Sequence, residues 1–365
     1  MTTLRVLLHV TAQRDYELHS LDFSTAFLQG SLHEEIWLRR PPGFTGSTLA
    51  ALGFAPSTAD PLLFLRTDTS LQPFYVLIYV DDLVFATADT EALTLAKSKL
   101  QKRHTCTYLG ELRSYLGLQI TRDRARCTIT LTQSHMVHQV LERFGFQFSS
   151  PQPTPLSTTH SLSAPPSDKS VEPSGPYPEL VGCLMYLMTC TRPDLAYPLS
   201  LLACYVAPGR HRKLSSPVMQ TLPRLTTQLR SGRHRVTPSA SSLLLISSCE
   251  VEIYAGAMAA QELRWLTYLL TDLGEQPRSP PILYVDNKAM IALCQEHRLE
   301  HRTKHIALRY FLARELQQRG QLRLAYVATR ANTADIFTKA LPLGDHQRFS
   351  TVLGLVPTLP HLLTA

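Results

Sequence analysis

The stretch from Phe74 to Thr87 constrains the fold more than any other part of this 365-residue chain. Two short runs rich in valine, isoleucine, tyrosine and phenylalanine flank Asp81 and Asp82, and such runs predict buried strands. Two strands joined at this pair predict a tight hairpin with both carboxylates at its tip. A carboxylate among buried neighbours is costly without a partner, so a cation is its natural companion. The alternative is an ordinary polar turn, because aspartate is a favoured turn residue.

The composition fits a globular protein with room for two or three domains: 44% of the residues are hydrophobic and 18% are charged. The formal net charge of +7 permits a polyanionic partner without requiring one. Seven scattered cysteines without a Cys-x-x-Cys pair argue against disulfides or structural zinc and favour a reducing compartment. No apolar run reaches transmembrane length and the start does not resemble a secretory signal, so we expect an intracellular protein with no membrane partner.

Tyr79-Val80-Asp81-Asp82 resembles the catalytic hairpin of reverse transcriptases, and its surroundings resemble the Pol polyprotein of copia-type retrotransposons. Asp22 stands where the family has its first catalytic aspartate, and Phe27 stands where it has a ring that excludes a 2′-hydroxyl. From the residues alone, Asp22 also fits a helix N-cap and Phe27 also fits core packing. The resemblance implies that Asp22, Asp81 and Asp82 are catalytic and hold two Mg²⁺ ions, and that Phe27 and Tyr79 contact the substrate.

The same resemblance implies an RNA template, a DNA primer and deoxynucleoside triphosphates as partners. It also exposes two absences. The family's fingers, which precede the first aspartate, are nearly all missing, and after Phe44 a block of the palm is missing too. Both regions normally supply lysine and arginine to the triphosphate and the template, so their absence is the strongest argument against polymerase activity.

Regular structure is predicted downstream of the hairpin. Asp89 or Thr90 caps a helix that extends to Leu100, and Gly145 ends an amphipathic helix that begins at Gln133. Strands are predicted over residues 109–120 and 128–132, and a helical pair over residues 177–205. Residues 211–248 show no period and are rich in serine and basic residues, so they are predicted to be an irregular linker, with nucleic-acid binding a minority interpretation.

Residues 249–345 resemble the family's ribonuclease H domain, which implies an RNA–DNA hybrid as a further partner. Glu252, with Glu250 as the alternative, Asp286 and Asp335 match its metal-binding catalytic acids. The residues alone also allow first-turn helix acids and N-caps at these positions, and Asn332 is predicted to cap a helix that contains Asp335. Arg302, Lys304 and Arg309 could meet phosphates or be solvated helix charges. The family's first ribonuclease H aspartate has no counterpart, because no acid lies between His211 and Cys249.

We therefore predict an α+β fold: a reverse-transcriptase palm-type antiparallel sheet with helices, followed by an incomplete ribonuclease H-like α/β domain. The predicted domains are a partial palm and thumb start (1–147), a Pro/Ser-rich connection with a helical pair (148–210), the linker (211–248), the ribonuclease H-like part (249–345) and a tail (346–365). The predicted function is RNA-directed DNA polymerase, cytoplasmic (in a virus-like particle, as in the family) or nuclear. The alternative is a degenerate, non-catalytic retrotransposon remnant that at most binds nucleic acid.

Overall fold

The structure is a computed structural model, and it describes residues 1–23, 46–66, 68, 71–158, 176–203, 232–235, 249–295 and 312–357. Its helices are α1 (Thr2–Arg14), α2 (Gly46–Ala51), α3 (Thr90–Arg103), α4 (Ser134–Arg143), α5 (Tyr177–Cys190), α6 (Ala196–Ala203), α7 (Cys249–Asp272), α8 (Lys288–Gln295), α9 (Leu312–Gln318) and α10 (Leu343–Val352). Short 3-10 helices cover Pro193–Leu195, Thr329–Ala331 and Thr333–Phe337.

Thirteen strands accompany these helices in the described part of the chain. They are β1 (Glu17–Phe23), β2 (Phe54–Pro56), β3 (Leu63–Arg66), β4 (Phe74–Tyr79), β5 (Asp82–Thr87), β6 (Cys106–Glu111), β7 (Ser114–Tyr115), β8 (Leu118–Asp123), β9 (Thr128–Thr132), β10 (Gly232–Arg235), β11 (Ile282–Val285), β12 (Arg323–Tyr326) and β13 (Leu355–Pro357). The fold is therefore α+β, as the sequence predicts.

The largest sheet has six strands in the order β2-β3-β4-β5-β1-β6, and every neighbouring pair is antiparallel. The predicted hairpin is its centre: β4 and β5 pair closely, and Tyr79 lies opposite Asp82. Five of the six residues of each strand are buried, which explains why both read as continuous apolar runs. A strand buried on both faces needs covering elements on both sides of the sheet.

Helix α3 covers one face of this sheet. Its buried residues Leu93, Ala96 and Leu100 follow helical spacing and join a core cluster with residues from β1, β4 and β5. The helix begins as predicted, because the Asp89 carboxylate accepts a hydrogen bond from the backbone N–H of Ala92 at 2.8 Å. The opposite face, which carries Tyr75 and Leu77, packs near α1, whose Leu7 and Leu8 are fully buried.

A second cluster lies among α4, α5 and α6. Its fully buried members include Leu184, Leu187, Leu195 and Leu202, and Met136 and Met188 pack against it from the edge. The predicted helix ends are also present: Gly145 follows α4 with φ 74°, and the left-handed backbone that this requires favours glycine. These helices confirm the predicted helical pair in the part of it that the structure describes.

Two smaller sheets complete the described fold. One pairs its strands in the order β13-β10-β9-β8-β7. It includes Gly232–Arg235, so these four residues form a strand where the sequence predicts an irregular linker. The other sheet is a parallel pair, β11 and β12, and the connection between parallel strands must cross over, here in a segment that contains α8 and α9.

The chain forms two compact units. The first contains residues 1–115, 121–129 and 262–279, and the second contains residues 116–120, 130–261 and 280–365. The units therefore do not follow the chain in simple order: residues 262–279, which the sequence groups with the ribonuclease H-like part, pack with the six-stranded sheet. Within the described residues, no helix is long and apolar enough to cross a membrane.

Candidate functional site

The pairing of β1 with β5 brings Asp22 and Asp82 together. The two residues are directly opposite partners in this antiparallel ladder, one residue beyond the pair Leu21 and Leu83. Opposite residues of an antiparallel pair project from the same face, with Cβ atoms about 4.5–5.5 Å apart. Two acids separated by 60 positions in sequence thus share one end of the sheet. The expectation that the sheet brings Asp22 next to the acidic hairpin agrees with this register.

Asp81 lies in the two-residue turn between β4 and β5, beside the same pair. Its carbonyl oxygen accepts a hydrogen bond from the backbone N–H of Phe23 at 2.9 Å, which ties the turn to the end of β1. The other turn residue, Val80, has φ 54°. A β-branched residue in this left-handed region is strained, because its branched side chain crowds the backbone. The turn is therefore held by the surrounding sheet rather than by local preference.

The surroundings of Asp82 disfavour its charged form. Burial raises the pKa of Asp82, and the negative charges of Asp22 and Asp81 raise it further. One carboxylate oxygen of Asp81, Oδ1, is buried and has no hydrogen-bond partner among the residues that the structure describes. Both effects would be relieved by a bound cation, since a cation favours the charged form and accepts oxygen ligands. The donor set therefore fits a divalent ion such as Mg²⁺.

The side chains do not by themselves form a closed metal cage. Across the residues that the structure describes, no group of three or more His, Cys, Asp or Glu side chains is arranged to hold a metal ion. This is compatible with Mg²⁺, which is usually bound by one or two carboxylates together with water and substrate phosphate. The geometry supplies an acidic platform that a substrate would have to complete.

Tyr79 is well placed beside this platform. It is the partner of Asp82 in the β4–β5 ladder, so it shares the acidic face, and 48% of it is exposed. An exposed aromatic ring next to two acids is available to a ligand. Phe27, the other predicted substrate contact, lies outside the described residues.

Tyr115 belongs to the same neighbourhood and was not predicted from the sequence. Only 4% of it is exposed, and within the described part of the chain its hydroxyl has no hydrogen-bond partner. Burial raises the pKa of this phenol, and the charges of Asp82 and Tyr79 raise it further. A buried hydroxyl is normally paired, but a single tyrosine at the end of a short strand gives no sequence signal that could reveal this position.

The acids predicted for a ribonuclease H-like site lie on separate elements of the second unit. Asp286 directly follows β11, at the carboxyl end of a parallel strand, and is half-buried. Asp335 lies in the 3-10 helix Thr333–Phe337 and pairs with Lys339 at 2.9 Å. Asn332 caps this helix as predicted, by accepting a hydrogen bond from the N–H of Ala334. Glu252 lies in α7, and its side chain, like that of Glu250, falls outside the described set, as do residues 302–309.

One segment of the chain matches a known protein family. Residues 46–158 match the family model described as reverse transcriptase (RNA-dependent DNA polymerase). The match contains the hairpin acids Asp81 and Asp82 but begins after Asp22. It agrees with the antiparallel sheet and the acidic hairpin that the structure places in this region.

Nearly the whole chain is similar to Retrovirus-related Pol polyproteins from plant transposons. It is 27% identical over 426 residues to the Retrovirus-related Pol polyprotein from transposon TNT 1-94 of Nicotiana tabacum, and 28% identical over 427 residues to that from transposon RE2 of Arabidopsis thaliana. A putative transposon Ty5-1 protein of Saccharomyces cerevisiae is 27% identical over 263 residues, which cover 63% of this chain and 82% of that protein.

The coverage of the two Pol polyproteins is uneven. The alignments take in 97% and 98% of this chain but only 32% and 29% of the relatives, so the chain spans about a third of their length. Both alignments are also longer than the 365 residues of this chain, so the relatives have internal segments that it lacks. Where these segments lie along the chain is not fixed by the alignment lengths, so the missing palm block after Phe44 and the missing fingers stay predictions.

Proposed function

We propose that the first unit is a reverse-transcriptase palm and catalyses RNA-directed synthesis of DNA. The observation that carries this proposal is the register that sets Asp22 opposite Asp82 with Asp81 in the adjoining turn. The reverse-transcriptase match over residues 46–158 and the orphaned oxygen of Asp81 support it. The substrates are a DNA primer, an RNA template and deoxynucleoside triphosphates.

Asp22, Asp81 and Asp82 would hold two Mg²⁺ ions, and bound ions would activate the primer 3′-hydroxyl and neutralise the charge that develops on the transferring phosphate. The protein's own contribution is positional. The β1–β5 ladder fixes two carboxylates on one face, and the bond from Phe23 to Asp81 fixes the third. Tyr79 offers an exposed ring beside them, and Phe27 is proposed to lie under the sugar of the incoming nucleotide.

The direct test is extension of a DNA primer on an RNA template by the full chain in Mg²⁺. We expect the double variant Asp81→Asn, Asp82→Asn to lose activity by roughly 100-fold or more, because asparagine keeps the shape but removes the charge that binds the metal. Asp345→Asn changes an exposed acid on α10 and is the matched control. Extension that is equal in the double variant and the control would overturn the proposal.

Metal binding gives a second readout that needs no turnover. A ligand that binds only the folded state raises the melting temperature, and the stabilisation grows with the logarithm of its concentration once this exceeds its Kd. Mg²⁺ is therefore expected to raise the melting temperature of the first unit in the original chain and in Asp345→Asn, but much less in the double variant. An equal rise in all three proteins would place the ion elsewhere.

The second candidate is a non-catalytic remnant that binds nucleic acid through its positive charge. Alignments longer than the chain favour it, since internal segments present in the relatives are missing here. Such a protein would bind RNA or DNA with a steep salt dependence and without product formation. Primer extension and binding measured on the same preparation separate the two candidates.

We further propose that the second unit retains part of a ribonuclease H-like fold acting on RNA–DNA hybrids. The parallel pair β11 and β12, with Asp286 at the end of the first strand, supports this proposal. Glu252 and Asp335 would be the other acids that hold metal, and the pairing of Asp335 with Lys339 would have to break on metal binding. The sequence-based boundaries 1–147, 148–210, 211–248, 249–345 and 346–365 are retained as a proposal about family segments.

A further inference from the structure

The second half of helix α7 is bound to the loop before β3 by one carboxylate. Asp272 accepts hydrogen bonds from the Ser57 hydroxyl at 2.5 Å, the Thr58 backbone N–H at 2.9 Å and the Thr58 hydroxyl at 3.1 Å. A fourth, longer bond comes from the Ala59 N–H at 3.3 Å. These bonds lower the pKa of Asp272 although burial opposes them, so the carboxylate is held in its charged form. The partners are more than 210 positions apart.

Two further hydrogen bonds join this half of the helix to the same unit. The indole N–H of Trp265 donates to the carbonyl of Ala59 at 2.8 Å. The hydroxyl of Tyr75, on β4, donates to the carbonyl of Leu273 at 2.7 Å in a buried setting. Leu269 and Leu273 are 0% and 2% exposed, so this end of the helix also contributes to the core. Polar and apolar contacts together make a specific interface, because each buried polar group has a defined partner.

An ion pair closes the far end of the interface. The guanidinium of Arg14, the last residue of α1, lies 2.6 Å from a carboxylate oxygen of Glu275. Both side chains are partly exposed, so this pair fixes the position of Glu275 relative to α1 but contributes little to the free energy of unfolding. Residues 57–59, Tyr75 and Arg14 thus form one receiving surface on the first unit.

The interface lies on the sheet face that carries the acids. Tyr75 is four residues before Tyr79 on β4, and the period of two along a strand puts both on one face with Asp82. Four residues of strand span about 13 Å. The interface therefore supports the same strands, β4 and β5, whose tips carry Asp81 and Asp82.

We propose that residues 262–279 are a docking segment that the polymerase unit needs to hold its acidic face in place, and that this segment is supplied by the same chain. The interface itself is inferred from its contacts. The statement that it supports a polymerase site rests on the proposed function. It follows that a protein cut back to residues 1–158 would keep Asp22, Asp81 and Asp82 but lose the support beneath β4.

Amide hydrogen exchange on the full chain tests this proposal. In Asp272→Ala the N–H groups of Thr58 and Ala59 lose their acceptor, and we expect exchange within Phe74–Tyr79 and Asp82–Thr87 to accelerate at least 10-fold. Trp265→Phe removes the indole N–H donor and keeps an aromatic ring at this position, so it should give a smaller acceleration of exchange in the same strands. Glu262→Ala, an exposed residue of the same segment, is the matched control and should change nothing.

The outcomes separate this proposal from the proposed function. Accelerated exchange confined to α7, with β4 and β5 unchanged in both variants, would overturn the docking role whether or not the chain extends primers. Accelerated exchange in β4 and β5 of a protein that does not extend primers would support the docking role and contradict the proposed polymerase activity. If the segment came from a second copy, protection of β4 would fall on dilution, and that result would overturn supply by the same chain.

Discussion

Val80 sits at the tip of the acidic hairpin with a backbone that valine rarely adopts. Its φ of 54° belongs to the left-handed region, and its side chain is 52% exposed. Such a residue costs on the order of 1–3 kcal/mol, and the sheet on either side must compensate. The strained residue lies between Tyr79 and Asp81, so the unfavourable backbone conformation is in the turn that positions the carboxylates.

We expect Val80→Asn to raise the free energy of unfolding by about 1 kcal/mol, because asparagine tolerates the left-handed region that a β-branched side chain resists. Urea unfolding of the first unit, followed by exchange or fluorescence, measures this change. Val80→Thr is the matched control, since it keeps the branch and the strain. A gain that is equal in both variants would show that side-chain polarity, and not the backbone, is responsible.

Residue types gave much of the candidate site but not its conformation. Asp81 and Asp82 could be predicted because two apolar strands meet at them, and Asp22 could be placed beside them through a family resemblance. The left-handed backbone of Val80 could not, because valine gives no local signal for it. Nor could the pairing of Asp335 with Lys339, since an acid followed by a lysine four residues later also fits a solvated helix face.

The start of helix α3 could be predicted from its sequence. Asp89 caps it, and the same carboxylate lies 3.0 Å from the guanidinium of Arg66. The hydrogen bond from Ala92 and the neighbouring Arg66 hold the pKa of Asp89 below its ordinary value. A depressed carboxylate pKa means that the stabilisation is present above the unfolded-state value of 3.8 and is lost as the pH falls through the folded-state value.

We expect Asp89→Ala to lower the free energy of unfolding by about 1–2 kcal/mol at neutral pH, since the cap and the ion pair are both lost. Asp89→Asn keeps the cap and loses the charge, so it should cost less. The gap between the original chain and Asp89→Asn should close as the pH falls below about 4, when the aspartate is itself protonated. A gap that stays constant down to pH 2 would contradict the role of the charge.

Elements with a strong period could be predicted, and those without one could not. Strand β9 has the predicted bounds Thr128–Thr132, and α4 and α5 match their predicted helices to within a few residues. Strand β10 could not be foreseen, because Gly232–Arg235 has no alternation and is a strand only through pairing with β9 and β13. The helix predicted to follow Asn332 is a 3-10 helix of five residues, which ends at Phe337.

At the scale of the whole molecule, two units divide a chain whose sequence order does not reveal the division. The boundary falls inside α7, so that residues up to 261 belong with one unit and residues from 262 with the other. Helical periodicity is continuous across this point, and periodicity reports burial rather than the identity of the neighbour that buries. The contacts of Ser57 with Asp272 and of Tyr75 with Leu273, which are 215 and 198 positions apart in sequence, therefore escaped prediction.

Separate cores predict separate responses to mutation. Leu184 is fully buried in the cluster of α4, α5 and α6, and Leu184→Ala should destabilise the second unit by about 2–5 kcal/mol through the cavity that it leaves. Amide exchange should rise in these helices and stay unchanged in the six-stranded sheet. Phe85→Ala, in the sheet core, should do the reverse. A uniform rise across both units in either variant would show a single cooperative structure.

Because Tyr75 and Leu273 are far apart in sequence, the ribosome synthesises Leu273 long after Tyr75. At about 5–20 residues per second, the ribosome needs roughly 10–40 s after completing β5 to produce the segment that covers it. During that interval Tyr75 and its neighbours on the nascent sheet are exposed to solvent, because the residues that cover them have not been synthesised. The position of α7 in the sequence therefore determines how long this surface is open to chaperones during translation. Encoding the helix earlier in the gene would shorten that time.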